Sequence, residues 1–382
     1  MLYFIIFLSL FFILYSLLHT YFYRKLIKAV SLKGFWKKAL LFFLLLMIVS
    51  PVLLNVPAHY GNRLLITGIA YIAYLWMGAL FLFFVVQLTI DILGHSIRVL
   101  SMISVPALHT FMPGHRARFL ITWLLVMGIT LYGIFEAANI KVEKISFDTT
   151  KPLPGGDRFR IVQISDVHLS TINGVRSADR IVKTIKEMEP HILVCTGDLI
   201  DRGLGDQEEI EALFRNLEPP YGKYAVTGNH EFYSGITEAA EFMKKSGFKL
   251  QRDEGHIIGG LVYLAGVDDT TGKQYGSNPS IEEPRILKRG PRGLLTILLK
   301  HRPRIHEKSI GAFDLQLSGH THKGQIFPFN IITSLSFPYH SGLFKVGKHS
   351  HLYVSRGTGT WGPPLRFLSP PEITLIEFHH KS

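Results

Sequence analysis

Residues 161–169 read IVQISDVHL, a short apolar run that breaks off at Asp166 and His168. Side chains on a strand alternate between its faces, so positions i and i+2 share one. The stretch therefore reads as a buried strand that delivers a carboxylate and an imidazole side by side at its end. Together they ask for a metal ion, and four downstream stretches supply further ligands: CTGDLID (195–201), GNHE (228–231), KHRP (300–303) and GHTH (319–322). Each follows an apolar run, which is where α/β sheets place their sites, beyond the carboxyl ends of the strands.

Working outward from this stretch, 158–165, 191–196, 223–227, 261–267, 294–299 and 313–317 read as strands, with helical spacing between them at 206–217, 235–246, 281–288 and 304–310. Ile181, Ile185 and Met188 recur at helical spacing after the first strand. Further strand-like segments, at 324–329, 351–355 and 373–378, finish the chain. Alternation followed by a run of strands predicts an α/β sandwich, two sheets flanked by helices. Residues 141–157, with Pro152, Pro154, Gly155 and Gly156, read as a linker before a catalytic domain at 158–382.

Seven side chains at these strand ends offer oxygen or nitrogen: Asp166, His168, Asp198, Asn229, His301, His320 and His322. One ion needs four to six donors, so seven fit two ions if one carboxylate bridges, and Asp198 after Gly197 is the natural bridge. Two divalent ions bring four positive charges against two carboxylates, so the loaded site attracts anions. A metal pair roughly 3.5–4 Å apart can hold an attacking hydroxide and a phosphoryl oxygen in line, the arrangement for phosphate ester hydrolysis. His230 follows Asn229, and adjacent side chains diverge, which suits it to protonate the leaving group. Glu231 or Asp201 is placed to orient its ring or a neighbouring arginine. The donor set suits Mn, Fe or Zn.

This constellation resembles the calcineurin-like metallophosphoesterases, whose pattern is D-x-H, GD-x-x-D, GNH-[DE], a histidine, and GH-x-H. Asp166-Val167-His168, Gly197-Asp198-Leu199-Ile200-Asp201, Gly228-Asn229-His230-Glu231, His301 and Gly319-His320-Thr321-His322 match it in order over about residues 158–378. The resemblance implies a first ion on Asp166, His168, Asp198 and His322, and a second on Asp198, Asn229, His301 and His320. It also implies catalytic assistance from His230 and a two-sheet sandwich fold. LLKHRP, SGHTHKGQI and SRGTGTWGPPLRFLSPPEITLI look more narrowly like the YkuE and YaeI-type branch and its multi-span membrane relatives. Lys323 departs from the glycine common after the last histidine, which bears on the substrate mouth.

The chain before Asn139 has a different composition. Hydrophobic residues make up 47% of the protein, and the excess lies there. Residues 2–23, 39–56, 64–93 and 119–140 read as four spans, against about 20 residues needed to cross a bilayer. Residues 94–118 read as an interfacial segment broken by Pro106 and Pro113. Residues 1–140 are thus expected to be a helical membrane anchor. Its intramembrane polar residues His19, Gln87, Asp91 and Glu136 are expected to pack or snorkel. The formal charge of +12 divides unevenly, with 12 Lys and Arg against 4 Asp and Glu in residues 1–150. Six basic residues follow the first span and three the third, which puts those loops inside and the catalytic domain on the extracytoplasmic side.

The basic excess is juxtamembrane, so nucleic acid is not an expected partner. Cys195, the only cysteine, permits no intrachain disulfide and reads as a small buried hydrophobe. Isolated histidines such as His191, His256 and His306 read as satisfied or surface residues. His340, His349 and His351 have no acidic company that would make a further metal site. Arg356 and Arg366 read as packing residues that could alternatively reach a phosphate. The expected protein is a membrane-anchored, dinuclear phosphoesterase acting on a phosphodiester or diphosphate, with a lipid-linked substrate made attractive by the anchor. The rival from another class is a non-catalytic sensor that uses its metals structurally.

Overall fold

The computed structural model describes residues 2–53, 63–103, 113–276 and 282–381. They form two compact units, residues 1–135 with 363–365, and residues 136–362 with 366–382.

In the first unit α1 (Leu2–Ala29), α2 (Gly34–Leu53), α3 (Arg63–Ile103) and α4 (His115–Ala138) carry the four apolar stretches. Among the described residues, Gly34–Pro51, Leu65–Ile103 and His115–Ala138 are long and apolar enough to cross a membrane. Residues 94–103, read as interfacial, instead continue α3. No proline lies among them, so the backbone hydrogen bonds simply run on. Residues 54–56 of the second expected span and 104–112 of the expected interfacial segment lie outside the described residues. Several polar groups of this unit pair with one another. Asp91 accepts from Tyr21 Oη (2.7 Å) and pairs with Lys25, Thr122 donates to Gln87 (2.9 Å), and Trp76 Nε1 lies 3.0 Å from His19 Nε2. Apolar surroundings favour such pairing.

The second unit holds two mixed six-stranded sheets. The first is ordered β1 (Lys141–Thr149), β12 (Glu372–His380), β2 (Arg158–Ile164), β3 (Ile192–Cys195), β4 (Lys223–Ala225), β5 (Phe248–Leu250). The second runs β10 (Gly342–Lys345), β11 (His351–Val354), β9 (Leu315–Ser318), β8 (Leu295–Leu299), β7 (Val262–Gly266), β6 (Glu254–Ile258). β2 to β5 pair in parallel, as do β7, β8, β9 and β11.

Strand alternation divides the core. Ile161, Ile192 and Val194 face Leu264, Ile297 and Leu317 between the sheets. Val162, Leu193 and Cys195 turn outward under α5 (Val175–Glu187), α6 (Gln207–Arg215) and α8 (Ile236–Lys245), through Ile185, Phe214 and Phe242. Ala265 and Leu298 pack outward beneath Ile286 and Leu287 of α9 (Glu283–Lys288). Strands covered on both faces read as unbroken apolar runs, which is why the motif strands stand out in the sequence.

Three expectations need correction. Residues 141–149 of the expected linker are an edge strand, β1, paired in parallel with β12 from Lys141↔Glu372 to Thr149↔His380. One exposed face lets charged residues alternate along it, so it lacks the buried-strand signature. Residues 324–329 are a turn leading into α10 (Phe329–Ser336), with no strand. Within 304–310 only a short 3₁₀ turn forms, at Glu307–Ser309. Residue 281 of the expected helix near α9 lies outside the described residues.

Candidate metal centre

The site lies where β2, β3, β8 and β9 end, together with the turn before α7 (Asn229–Ser234). The backbone beyond the strands stays zipped: Asp166 N donates to Gly197 O (3.0 Å), His168 N to Asp198 O (3.1 Å) and Gly319 N to His301 O (2.9 Å). Asp166 and His168 do not share a face by strand alternation as expected. Both lie past Ile164 in the left-handed region, with φ of 51° and 50°, as do Asp198 (53°), His320 (74°) and His322 (48°). Non-glycine residues visit that region rarely and at a cost, so the packed loops must hold them there.

The glycines of the motifs make that packing possible. A Cβ on Gly228 would stand 2.1 Å from Asp198 Oδ1, and one on Gly319 2.1 Å from Asp166 Oδ2. Glu231, fully buried, fastens two of the loops. Its Oε2 accepts from Gly228 N (2.6 Å) and Asp198 N (2.9 Å), and its Oε1 from Leu199 N (2.7 Å) and Ile200 N (3.4 Å). Burial and the nearby Asp198 push its carboxyl up, while the amides of Gly228 and Asp198 pull it back.

All seven expected donors come together. Ligand atoms of Asp166, His168 and His322 lie within 4.8 Å of one another, as do those of Asp198, His301 and His320. Asp198 Oδ2 joins the two groups, 3.8 Å from His168 Nε2 and 3.2 Å from His301 Nε2. Asn229 Oδ1 is 3.3 Å from His301 Nε2.

The donor set fits cations. His301 Nδ1 is 2.8 Å from Thr196 O, an acceptor only, so Nδ1 carries the proton and Nε2 turns a lone pair toward the Asp198 carboxylate and the Asn229 carbonyl. Facing electron pairs require a positive charge between them. Without an ion a second proton must supply it: burial would depress the His301 pKa, but Asp198 and Asp166 drive it up to about 10. The carboxylates diverge. Burial, opposed by His301, leaves Asp166 raised with Asp198 adding to it, whereas Asp198, also buried, is pulled well below its usual range by His301, His230 and His168.

His230 sits beside the cluster, its Nδ1 2.6 Å from Asp201 Oδ1. The same oxygen is 3.1 Å from His168 Nδ1, so one carboxylate orients both rings. Of the two orienting residues expected, Asp201 holds the ring and Glu231 holds backbone. Burial would lower His230, but Asp198 and Asp201 carry it up to about 9, so it keeps a proton. Asp201 itself, despite burial, is held far below the usual carboxylate range by those two rings.

The sequence reading missed Arg302. Its Nε donates to buried Asp269 (2.7 Å), Nη1 lies 3.2 Å from His320 Nε2, and Nη2 lies 3.5 Å from Asn229 Oδ1. Its position directly after His301 was the available signal, but its partner Asp269 is remote in sequence. Arg356 and Arg366 have structural roles. Arg356 pairs with Glu143 and Glu372, and fully buried Arg366 donates to the carbonyls of Gly357, Gly359, Arg356 and Ser369 while lying 3.2 Å from His322 Nδ1.

Two sandwiched sheets that gather aspartates, histidines and an asparagine at their strand ends define a metal-dependent phosphoesterase. The family model described as calcineurin-like phosphoesterase matches residues 159–324. An Aquifex aeolicus metallophosphoesterase is 36% identical over 251 residues, 65% of this chain and 96% of that one. YkuE of Bacillus subtilis is 37% identical over 234 residues, 58% and 79% of the two chains. A Danio rerio transmembrane protein with a metallophosphoesterase domain is 31% identical over 269 residues, 65% and 60%. The chain belongs to the calcineurin-like metallophosphoesterases, and its apolar helices associate it with a membrane.

Proposed function

We propose that the chain hydrolyses a phosphodiester or diphosphate bond in a lipid-linked substrate, with two divalent ions, Mn, Fe or Zn, held across Asp198. Asp166, His168, Asp198 and His322 would hold the first, and Asp198, Asn229, His301 and His320 the second. The observation that carries this reading is Asp198 Oδ2 standing between His168 Nε2 and His301 Nε2 at 3.8 and 3.2 Å. Bound there, divalent ions supply Lewis acidity toward phosphoryl oxygen and toward water.

The chain's own groups do the rest. Asp201 fixes the His230 ring through Nδ1, which leaves Nε2 to carry a proton to the departing oxygen. Arg302, pinned by Asp269, offers a planar donor fork to phosphoryl oxygens beside His320 and Asn229. A protein that used its ions only as structural clamps would have no need of an oriented His230. Residues 1–140 serve as a four-span anchor, and the basic loops put the catalytic domain, 158–382 with β1 added, on the extracytoplasmic side. Permanent attachment to a bilayer supports a lipid-linked substrate and gives no support to nucleic acid.

The test uses the full chain in detergent, loaded with Mn²⁺, on nitrophenyl phosphodiester and monoester substrates and then on extracted lipids. Hydrolysis that a chelator abolishes and His230→Ala cuts by about 10²–10⁴-fold is expected. A folded, metal-loaded chain that hydrolyses none of them overturns the reading.

A further inference from the structure

The first 135 residues hold ten Lys and Arg against one acidic residue, Asp91. α1, α3 and α4 meet at this carboxylate. Its Oδ2 accepts from Tyr21 Oη of α1 (2.7 Å) and pairs with Lys25. Its Oδ1 accepts from Gln87 of α3 (3.2 Å), whose own Oε1 takes the Thr122 hydroxyl of α4 (2.9 Å). One cation, Lys25, thereby takes the one carboxylate these helices own.

Beside this polar layer about 230 Å³ of free space opens between the helices, lined by Lys25, Lys28, Gln87, Asp91, His115 and Arg118. Lys28 follows Lys25 by one turn on the same side of α1, and Arg118 precedes Thr122 by one turn on α4. Among the described residues neither Lys28 nor Arg118 has an acidic partner. Arg118 Nη2 lies 3.4 Å from His115 Nδ1, while its Nε is buried with no hydrogen-bond partner among the described residues. A buried guanidinium N–H of that kind calls for an acceptor. α4 begins at His115, so the positive end of its backbone dipole adds to the same cleft.

We propose that this cleft binds a phosphate group of an anionic ligand, with the guanidinium of Arg118 and the ammonium of Lys28 as its charge partners. A planar fork suits two phosphoryl oxygens, and an ammonium supplies a point charge beside them. Depth favours a phospholipid as the source. Lys25 and Lys28 come just after the apolar run 2–23, and Arg118 stands directly before the run 119–140, so the cleft lies at headgroup level. Snorkelling alone would carry the cations out to water, and it leaves the buried Nε of Arg118 unanswered. Occupancy neutralises the charge gathered where three helices meet, so their packing depends on the bound phosphate.

The full chain, purified in detergent and stripped of lipid, is titrated with short-chain phosphatidylglycerol, with phosphatidylcholine and with inorganic phosphate. Bound ligand is counted by native mass spectrometry. Phosphatidylglycerol is expected to bind at one molecule per chain and to raise the melting temperature. Lys28→Gln with Arg118→Gln should weaken it at least about tenfold, the factor that one lost charge-assisted bond represents. Arg118→Lys should lose less. Lys37→Gln with Lys38→Gln removes the same charge from α2 and should change nothing. Phosphatidylglycerol held equally by the Lys28/Arg118 variant overturns the proposal, and so does an equal loss in both double variants, which would mean general attraction to basic helix ends. Inorganic phosphate bound at this site in preference to either lipid supports the site and makes the source soluble. Circular dichroism checks that each variant keeps its helices, and the single changes Lys28→Gln and Arg118→Lys are read where the double one does not. None of these readings needs turnover, so the outcome is separate from that of the hydrolysis assay.

Discussion

Replacing Glu231 by glutamine tests whether the loops are held by a buried carboxylate. In the native protein four backbone N–H groups, from Gly228, Asp198, Leu199 and Ile200, converge on its two oxygens at 2.6–3.4 Å. Glutamine keeps the shape but turns one acceptor into a donor, so whichever way the amide settles, two N–H groups lose their partner inside the protein. A hydrogen bond to a charged group is worth about 1.5–3 kcal/mol. Two of them put the loss at about 3 kcal/mol or more, and roughly 2–4 °C per kcal/mol for a domain of this size predicts a fall in Tm of roughly 6–12 °C. Asp198 loses an anchor in the same change, so hydrolysis should fall below what the lost stability explains at a temperature where the variant is folded. Circular dichroism melting of the full chain in detergent, with turnover measured well below the transition, reads both. A Glu231→Gln protein that melts within about 2 °C of wild type, with unchanged turnover, refutes the reasoning.

Three further changes follow from the same geometry. Gly228→Ala sets a methyl group 2.1 Å from Asp198 Oδ1, so the carboxylate must move; bound metal, counted by elemental analysis, is expected to drop while the protein stays folded. Arg302→Ala should raise KM for an anionic substrate by about tenfold or more, with Arg302→Lys restoring only part of it because the planar fork is gone; an unchanged KM removes Arg302 from the site. Lys223 lies under Phe214 O and Ser246 O, and burial lowers its pKa to about 8. From pH 8 to about 10.5 the unfolded chain therefore binds the extra proton, and stability contributed at this position rises with pH. Wild type should gain on Lys223→Met across that window in paired melting curves, and parallel curves would contradict it.

The site was legible because its donors sit in short blocks that each close a fully buried strand. Ile161–Ile164, Ile192–Cys195 and Leu295–Leu299 announce themselves as apolar runs, and the residues after them carry the chemistry. What could not be read was anything decided by one-sided pairing or by distant partners. β1 hides its strand character behind Lys141, Glu143 and Lys144, because only one edge and one face of it are engaged. Residues 324–329 follow directly on the motif and suggested a strand where a turn leads into the exposed helix α10. The left-handed turns at Asp166 and His168 leave no mark on hydropathy, so strand alternation was the wrong geometry from which to pair them. Arg302 gains meaning only from Asp269, and spacing along the chain says nothing of that pairing.

A single oxygen, Oδ1 of Asp201, serves the rings of both His168 and His230. When positive charge settles against the far nitrogen of His168, its near N–H becomes more acidic and claims more of that oxygen's electron density. Less remains for His230, whose grip on its own proton loosens. A cation held by His168 would therefore ease proton release from His230, and a proton on His230 would in turn weaken that hold. An atom shared by two neighbours would in this way tie release of the acid to occupancy of the site.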